Sequence, residues 1–427
     1  MKRTIQLAVL ALIFISSFSS FTHSQSIPSG TARYEALGFN PFIMDAAIDL
    51  NRNPAWGTKY INYAFGDFGR YSRFNGDKDS TYSLRDQYIG FNLRAGRSWA
   101  LGLVLNKVEG QIFGGAIRST YEALGNDAPI VPFKALIAYN SSSKLSIGLS
   151  PYIAYWNSES TSPNLKVDRS TSVLGATFGI VANMSPSSWT EGTVGVKFNK
   201  YKVDSTAGTT NTLFENDGKI ELNAFYRGWY KIKNTNVNLV PYINFGLFNW
   251  EPTRTPALAS TNKFDTWNLL AGIGINIPIT ENGMFAGGLS GGYNSSSSTS
   301  TTFPSESGTG STIEVKTEGV VFPQFNLGVE WSLTDWLIGR FGYSRSIQDR
   351  KLTYSSIDTT VTTIQEIQES VASNSDQTMT IGLGWEFGNF SLDGLIGERF
   401  IQIGPNIFSG KENDMFGVIS MSYNFKK

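Results

Sequence analysis

Residues 415–425 read MFGVISMSYNF, and their alternation decides the fold. Ile419, Met421, Tyr423 and Phe425 share one face while Ser420, Ser422 and Asn424 take the other. A period of two belongs to a strand with one oily and one wet side. The same grammar recurs upstream: Val237, Leu239, Ile243, Phe245 and Leu247 oppose Asn236, Asn238, Tyr242 and Asn244. Further on, Met379, Ile381, Leu383, Trp385 and Phe387 oppose Thr378, Thr380, Gly382, Gly384 and Glu386. Half-buried strands of a soluble sandwich alternate in this way too, so the connections must decide. Tight ones near 95–97, 140–143, 185–188, 233–235, 280–282, 333–335 and 388–389 alternate with much longer loops. Soluble sheets have no reason for that polarity. A closed barrel threaded through an outer membrane has one, because its short turns are periplasmic and its long loops external.

The seven tight turns account for fourteen strands, and an opening strand over 58–68 with a closing one over 415–425 raises the count to sixteen. The expected fold is therefore all-β: a transmembrane antiparallel up-and-down barrel of 14–16 strands, with a short N-terminal plug in its lumen. Trp99, Trp189, Trp331 and Trp336 lie beside tight turns, and Trp156 and Trp250 lie before long loops. This distribution predicts two interfacial girdles.

The N-terminus carries Lys2 and Arg3, an apolar core over 7–15 and a Ser-rich stretch before Gln25, the layout of a secretory signal cut after Ser24. An apolar core that short cannot cross roughly 30 Å of hydrocarbon as a helix. The expected division is a signal peptide at 1–24, a hatch at 25–56 and the barrel at 57–427, located in the outer membrane.

Composition excludes several chemistries. The single histidine, His23, falls in the signal and the chain has no cysteine. His-based triads, thiol nucleophiles, disulfides, haem ligation by His or Cys, ordinary zinc sites and a lipobox are all absent. No enzyme activity, cofactor or metal is expected. A formal net charge of zero gives no field for nucleic acid. The 43 glycines and 13% aromatics beside only 16% charged residues suit a barrel wall with aromatic rims better than a soluble domain. The oxygen-rich run 75–80 lacks the Glu a calcium loop needs at its twelfth position, and the Gly-rich run 308–312 lacks a P-loop lysine.

Two external stretches carry their own expectations. Residues 294–302, a Ser/Thr tract, read as a mobile polar loop. Ile364, Ile367 and Val371 have helical spacing that would suit a small lid, although strands extending past the membrane explain them as well.

Between signal and first strand lie Arg33, Tyr34, Ala36, Leu37, Gly38, Met44, Asp45, Ala46, Ala47, Ile48, Asp49, Asn53, Pro54, Ala55 and Trp56. They do not alternate. Asp45 to Asp49 suits one helical turn, and Pro54 forces an extended or turning backbone at Asn53. The run Ala32-Arg33-Tyr34-Glu35-Ala36-Leu37-Gly38, then Asp45-Ala46-Ala47, then Asn53-Pro54-Ala55 directly before strand one, resembles the N-terminal hatch of FadL-like (OMPP1/TodX-type) outer-membrane transport proteins and of related PorV-type barrels of Bacteroidetes-like bacteria. The resemblance implies a fourteen-stranded barrel whose hatch, here Gly38, Asp45, Ala46, Ala47, Asn53, Pro54 and Ala55, plugs the lumen while hydrophobic ligands pass.

Alternation places Asp86, Asn92, Arg94, Glu191, Lys197, Lys219, Glu221, Asn223, Arg227, Glu330, Arg340, Asp393 and Arg399 toward the lumen, with Ala100, Gly102, Val104, Leu270, Gly272 and Gly274. Charges of both signs suit cross-lumen pairing that holds a plug, and a single-sign selectivity ring is missing. The sequence thus predicts uptake of hydrophobic small molecules such as fatty acids through a hatch-gated channel. Outer-membrane lipid, a hydrophobic ligand and the barrel-assembly machinery, the last through the strand ending at Phe425, are its expected partners. A non-transporting secretion or surface scaffold and a general diffusion porin are the alternatives.

Overall fold

The computed structural model describes residues 31–70, 88–108, 130–163, 165–207, 210–250, 253–255, 261–280, 282–302, 311–358, 364–396 and 416–425. The runs 75–80 and 308–310, Asp86, Arg399 and the expected signal lie outside these residues.

Strands follow in chain order as β1 (Tyr63–Arg70), β2 (Tyr88–Arg94), β3 (Trp99–Val108), β4 (Ile130–Ser142), β5 (Leu145–Ser162), β6 (Leu165–Ser185), β7 (Ser188–Ala207), β8 (Thr210–Lys231) and β9 (Asn238–Trp250). They continue as β10 (Thr253–Thr255), β11 (Thr261–Thr280), β12 (Gly283–Thr302), β13 (Ser311–Ser332), β14 (Leu337–Asp358), β15 (Ile364–Phe387), β16 (Phe390–Ile396) and β17 (Phe416–Asn424). Each pairs antiparallel with its chain neighbour, except that the three-residue β10 rests on β8 and β9 passes directly to β11. Pairing of β1 with β17, from Tyr63 opposite Asn424 to Phe68 opposite Ile419, closes the ring. Sixteen strands therefore form the wall, not the fourteen that the resemblance implies.

Closure matters physically because an open sheet leaves a row of backbone N–H and C=O groups that lipid cannot satisfy. The outward side agrees with lipid contact. Along β6, Lys166, Asp168, Ser170 and Ser172 give way to Leu174, Ala176, Phe178, Ile180, Ala182 and Met184, with Leu174 59% and Phe178 50% exposed. Eleven residues of tilted strand rise about 25 Å, the height of a barrel's apolar band. A water-soluble monomer rarely shows a continuous greasy belt of that kind. Among the described residues no helix is long and apolar enough to cross a membrane.

Three expectations are corrected. Residues 294–302 are not a loop but the end of β12, paired with β11 and β13, because backbone ladders form whatever the side chains bury. Of the two readings of 364–371 the extended strand holds: these residues open β15, and no lid helix forms among the described residues. The first strand starts at Tyr63, since Pro54–Thr58 winds into a 3-10 helix with Pro54 at its first position, where a missing N–H is harmless. Trp189 leaves the girdle: it is buried inside, stacked on Trp229 and edge-on to Trp56. Trp99, Trp331 and Trp336 are 39–49% exposed, as interfacial rings should be.

Candidate functional site: the filled lumen

Residues 31–60 occupy the interior of the ring. They fold as helix α1 (Ala32–Ala36), helix α2 (Ala46–Arg52) and the 3-10 turn, each capped from within. Thr31 Oγ accepts from the Tyr34 amide, Asp45 carboxylate from the Ile48 amide and Asn53 Oδ1 from the Ala55 amide. Such caps matter because helices this short are not stable on propensity. Packing supplies the rest. Leu37, Phe42, Leu50, Ala55 and Trp56 have no exposed surface, and they share one core with Val104, Leu136, Val240 and Tyr242 of the wall.

Two ionic clamps tie this segment to the wall. In the first, Arg227 of β8, 1% exposed, donates to Glu191 of β7 at 2.7 Å, to Asp49 of α2 at 2.6 Å and to the Ile43 carbonyl at 2.8 Å. Glu191 also accepts from Trp56 Nε1 at 2.6 Å and Asn53 Nδ2 at 2.9 Å. Burial pushes the Asp49 carboxyl above the usual carboxylate range, while Arg227 pulls it back down. In the second clamp, Arg33 of α1 makes a two-pronged contact with Glu330 of β13 at 2.8 and 3.1 Å. Arg340 of β14 then links Glu330 to Asp393 of β16, at 2.6 Å to each. Arg33 also reaches back to Asp45 at 3.4 Å and to the Met44 carbonyl at 2.7 Å, closing residues 33–45 into a loop.

Between the clamps, wall side chains bind hatch carbonyls. Asn326 donates to Gly38, Asn276 to Phe42, Thr380 to Ala36 and Lys134 to Asn51. These bonds satisfy backbone groups that a water-free interior would otherwise leave unpaired.

Glycines on the inward face form the seat. A β-carbon on Gly148 would strike the Ala55 amide and the Pro54 carbonyl carbon; one on Gly179 would strike Asn53, and one on Gly342 the backbone at Leu37 and Gly38. Gly274 and Gly288 make room for the Phe42 ring in the same way. Gly38 itself, at φ +75°, begins a left-handed bend that continues through Phe39 at φ +53°. Only glycine takes that backbone freely, so Phe39 sits there at a cost of about 1–2 kcal/mol.

The sequence-derived candidates divide accordingly. Gly38, Asp45, Asn53, Pro54 and Ala55 all make the contacts above, Ala47 is buried in the shared core, and Ala46 opens α2. Glu191 and Arg227 meet in one clamp, and Glu330, Arg340 and Asp393 in the other. Lys197 and Glu221 form a separate buried pair at 3.3 Å, on neighbouring strands away from the clamps. Arg94 has inward parity but is exposed at the rim, so it does not line the lumen interior. The alternation reading did not single out Lys134, Asn276 and Asn326. Their signal is parity: each is a polar residue on the inward face of a strand, buried with at most 5% exposure.

No family model matches the chain, and no curated protein matches it in sequence. Solved structures do. The TodX monoaromatic hydrocarbon channel deltaS2 mutant is similar over 94% of this chain and 100% of its own, at 11% identity and a TM-score of 0.40. A Pseudomonas aeruginosa FadL homologue is similar over 94% and 99%, at 9% identity and a TM-score of 0.33. The ferric yersiniabactin uptake receptor FyuA from Yersinia pestis follows at 85% and 80%, with 8% identity and a TM-score of 0.36. Likeness at that level carries no argument by itself, and the fold rests on the strand pairing. Fold and site together define a class: a closed sixteen-stranded β-barrel, of the architecture used by outer-membrane channels, with its N-terminal segment inside the lumen.

Proposed function

We propose that the chain is an outer-membrane channel for uptake of hydrophobic small molecules such as fatty acids, gated by its N-terminal hatch. The observation that supports this best is the interface between hatch and wall. Phe42, Ile43, Leu50 and Trp56 lie against Val104, Leu136, Val240 and Tyr242, so a greasy seam crosses the lumen. An apolar solute can replace such contacts side for side, whereas a hydrated ion cannot. A filled lumen also argues against a wide diffusion porin. The work is done by binding energy, and the residues that hold the gate are those of the two clamps and the glycine seat.

Deleting residues 27–52 removes all of the seam's hatch side but Ala55 and Trp56 and leaves every strand. In planar bilayers the deletion is expected to turn a closed or flickering channel into one with large steady conductance, and to change uptake of labelled fatty acids and alkylbenzenes by vesicles. Unchanged conductance and uptake would overturn the gate.

One observation favours the scaffold alternative: ionic clamps hold both ends of the hatch, which suits a permanent filling as well as a gate. Retention of full closure with no measurable apolar uptake would support that reading.

A further inference from the structure

We propose that the rim carrying the short turns of β2–β9 docks a soluble periplasmic protein through an acidic patch. The proposal takes from the channel reading only the side of the membrane on which this rim lies.

Among the described residues charge is segregated around the rim. Four consecutive turns, at 95–98, 143–144, 186–187 and 232–237, with the strand ends beside them, carry Arg94, Arg97, Lys144, Lys231 and Lys233. All five are exposed, and among the described residues none forms an ion pair. That arc has no exposed carboxylate in its turns. The described turn residues on the other side, 282, 333–336 and 388–389, hold no cation, and the exposed charges there are Asp335 and Glu386.

Direction separates a docking protein from lipid. Arg94 shares the inward parity of Asn92, and Lys231 that of Arg227 and Trp229, so both stand over the mouth rather than against the bilayer. Lys59, also exposed, lies over the Trp56 and Trp189 rings at the same mouth. Phospholipid headgroups surround a barrel evenly and would call for cations on outward positions all the way round. An arc of five cations on one side of a mouth, with Asp335 and Glu386 across it, instead fits a body that covers the opening in one orientation. Complementary charge of this kind sets orientation and association rate.

The test uses the full mature barrel in nanodiscs of neutral lipid, with a labelled oligoglutamate peptide as probe and fluorescence anisotropy as readout. Wild type is expected to bind it, more weakly at physiological than at low salt. The variant Arg94→Gln, Arg97→Gln, Lys144→Gln, Lys231→Gln, Lys233→Gln is expected to lose on the order of tenfold in affinity, while Asp335→Gln with Glu386→Gln keeps or gains affinity. Equal binding by wild type and the five-site variant would overturn the proposal. So would loss of wild-type binding when phosphatidylglycerol is added to the discs, because the cations would then be engaged by lipid. Neither failure touches the channel reading, since the peptide reports on the rim and not on the lumen.

Discussion

Replacing Arg227 with methionine is expected to free the hatch and raise conductance more than any other single substitution. The guanidinium makes the direct ion pairs to both Asp49 and Glu191, and both carboxylates are buried. Removing one partner of a buried ion pair costs about 3–5 kcal/mol, because the remaining charge stays desolvated. Here two carboxylates would remain. The Trp56 and Asn53 bonds to Glu191 do not compensate for the missing positive charge, so the docked hatch should lose several kcal/mol relative to the released one. Single-channel recording and protease cleavage within residues 31–62 would report release.

The variant should also acquire a pH dependence. Burial raises the Asp49 carboxyl even with Arg227 in place, and without it only the weaker pull of Arg52 opposes that tendency. A group whose pKa is higher when docked binds protons on docking, so docking is favoured below the undocked pKa, about 3.9, and is lost as pH rises through the docked value. The conducting fraction should therefore fall on acidification. A conducting fraction that rises with acid would count against this account of the clamp.

The second large effect is expected at the glycine seat. Gly148→Val and Gly179→Val each place carbon where Pro54, Ala55 and Asn53 already lie, and Gly342→Val does so at Leu37 and Gly38. At Gly148 and Gly342 the hatch atoms met are backbone, which cannot swing aside; at Gly179 they are the Asn53 amide and the Pro54 ring. Overpacking of this kind costs about 1–3 kcal/mol per site, so the three together should expel the hatch although the Arg227 and Arg33 ion pairs are not altered. The strand ladder is unaffected, and valine favours it. Gly192→Ala serves as control, since its β-carbon would meet nothing closer than 3.7 Å. Conductance equal in the triple variant and wild type would remove the seat from the account.

The wall was legible because alternation and loop length are local properties. Tight turns at 95–97, 185–188 and 388–389 fall within a residue or two of the observed connections, and the ring closes with the sixteen strands counted. The clamps were half legible. Parity placed Glu191, Arg227, Glu330, Arg340 and Asp393 inside, but nothing local says that Arg33 meets Glu330 or that Asp49 meets Arg227, contacts separated by 297 and 178 residues. The failure at 294–302 has a plain cause: the tract was read from its side chains, whereas neighbouring strands supply backbone partners and extend the sheet beyond the apolar band, as the strand reading of 364–371 also had it. Trp189 shows the converse: adjacency to a turn suggested an interfacial ring, and inward parity took it to Trp56 instead.

A reversible tether between hatch and wall tests most directly whether the N-terminal segment is the gate. The chain has no cysteine, and Leu37 Cβ lies 3.3 Å from where a β-carbon on Gly328 would sit, near the roughly 3.5–4.5 Å that a disulfide requires. Vesicles holding the Leu37→Cys, Gly328→Cys protein are then loaded with a labelled fatty acid, oxidised and reduced in turn. A gate predicts flux that stops on oxidation and returns on reduction; the same flux in both states would show that solute passes, if at all, without moving the hatch.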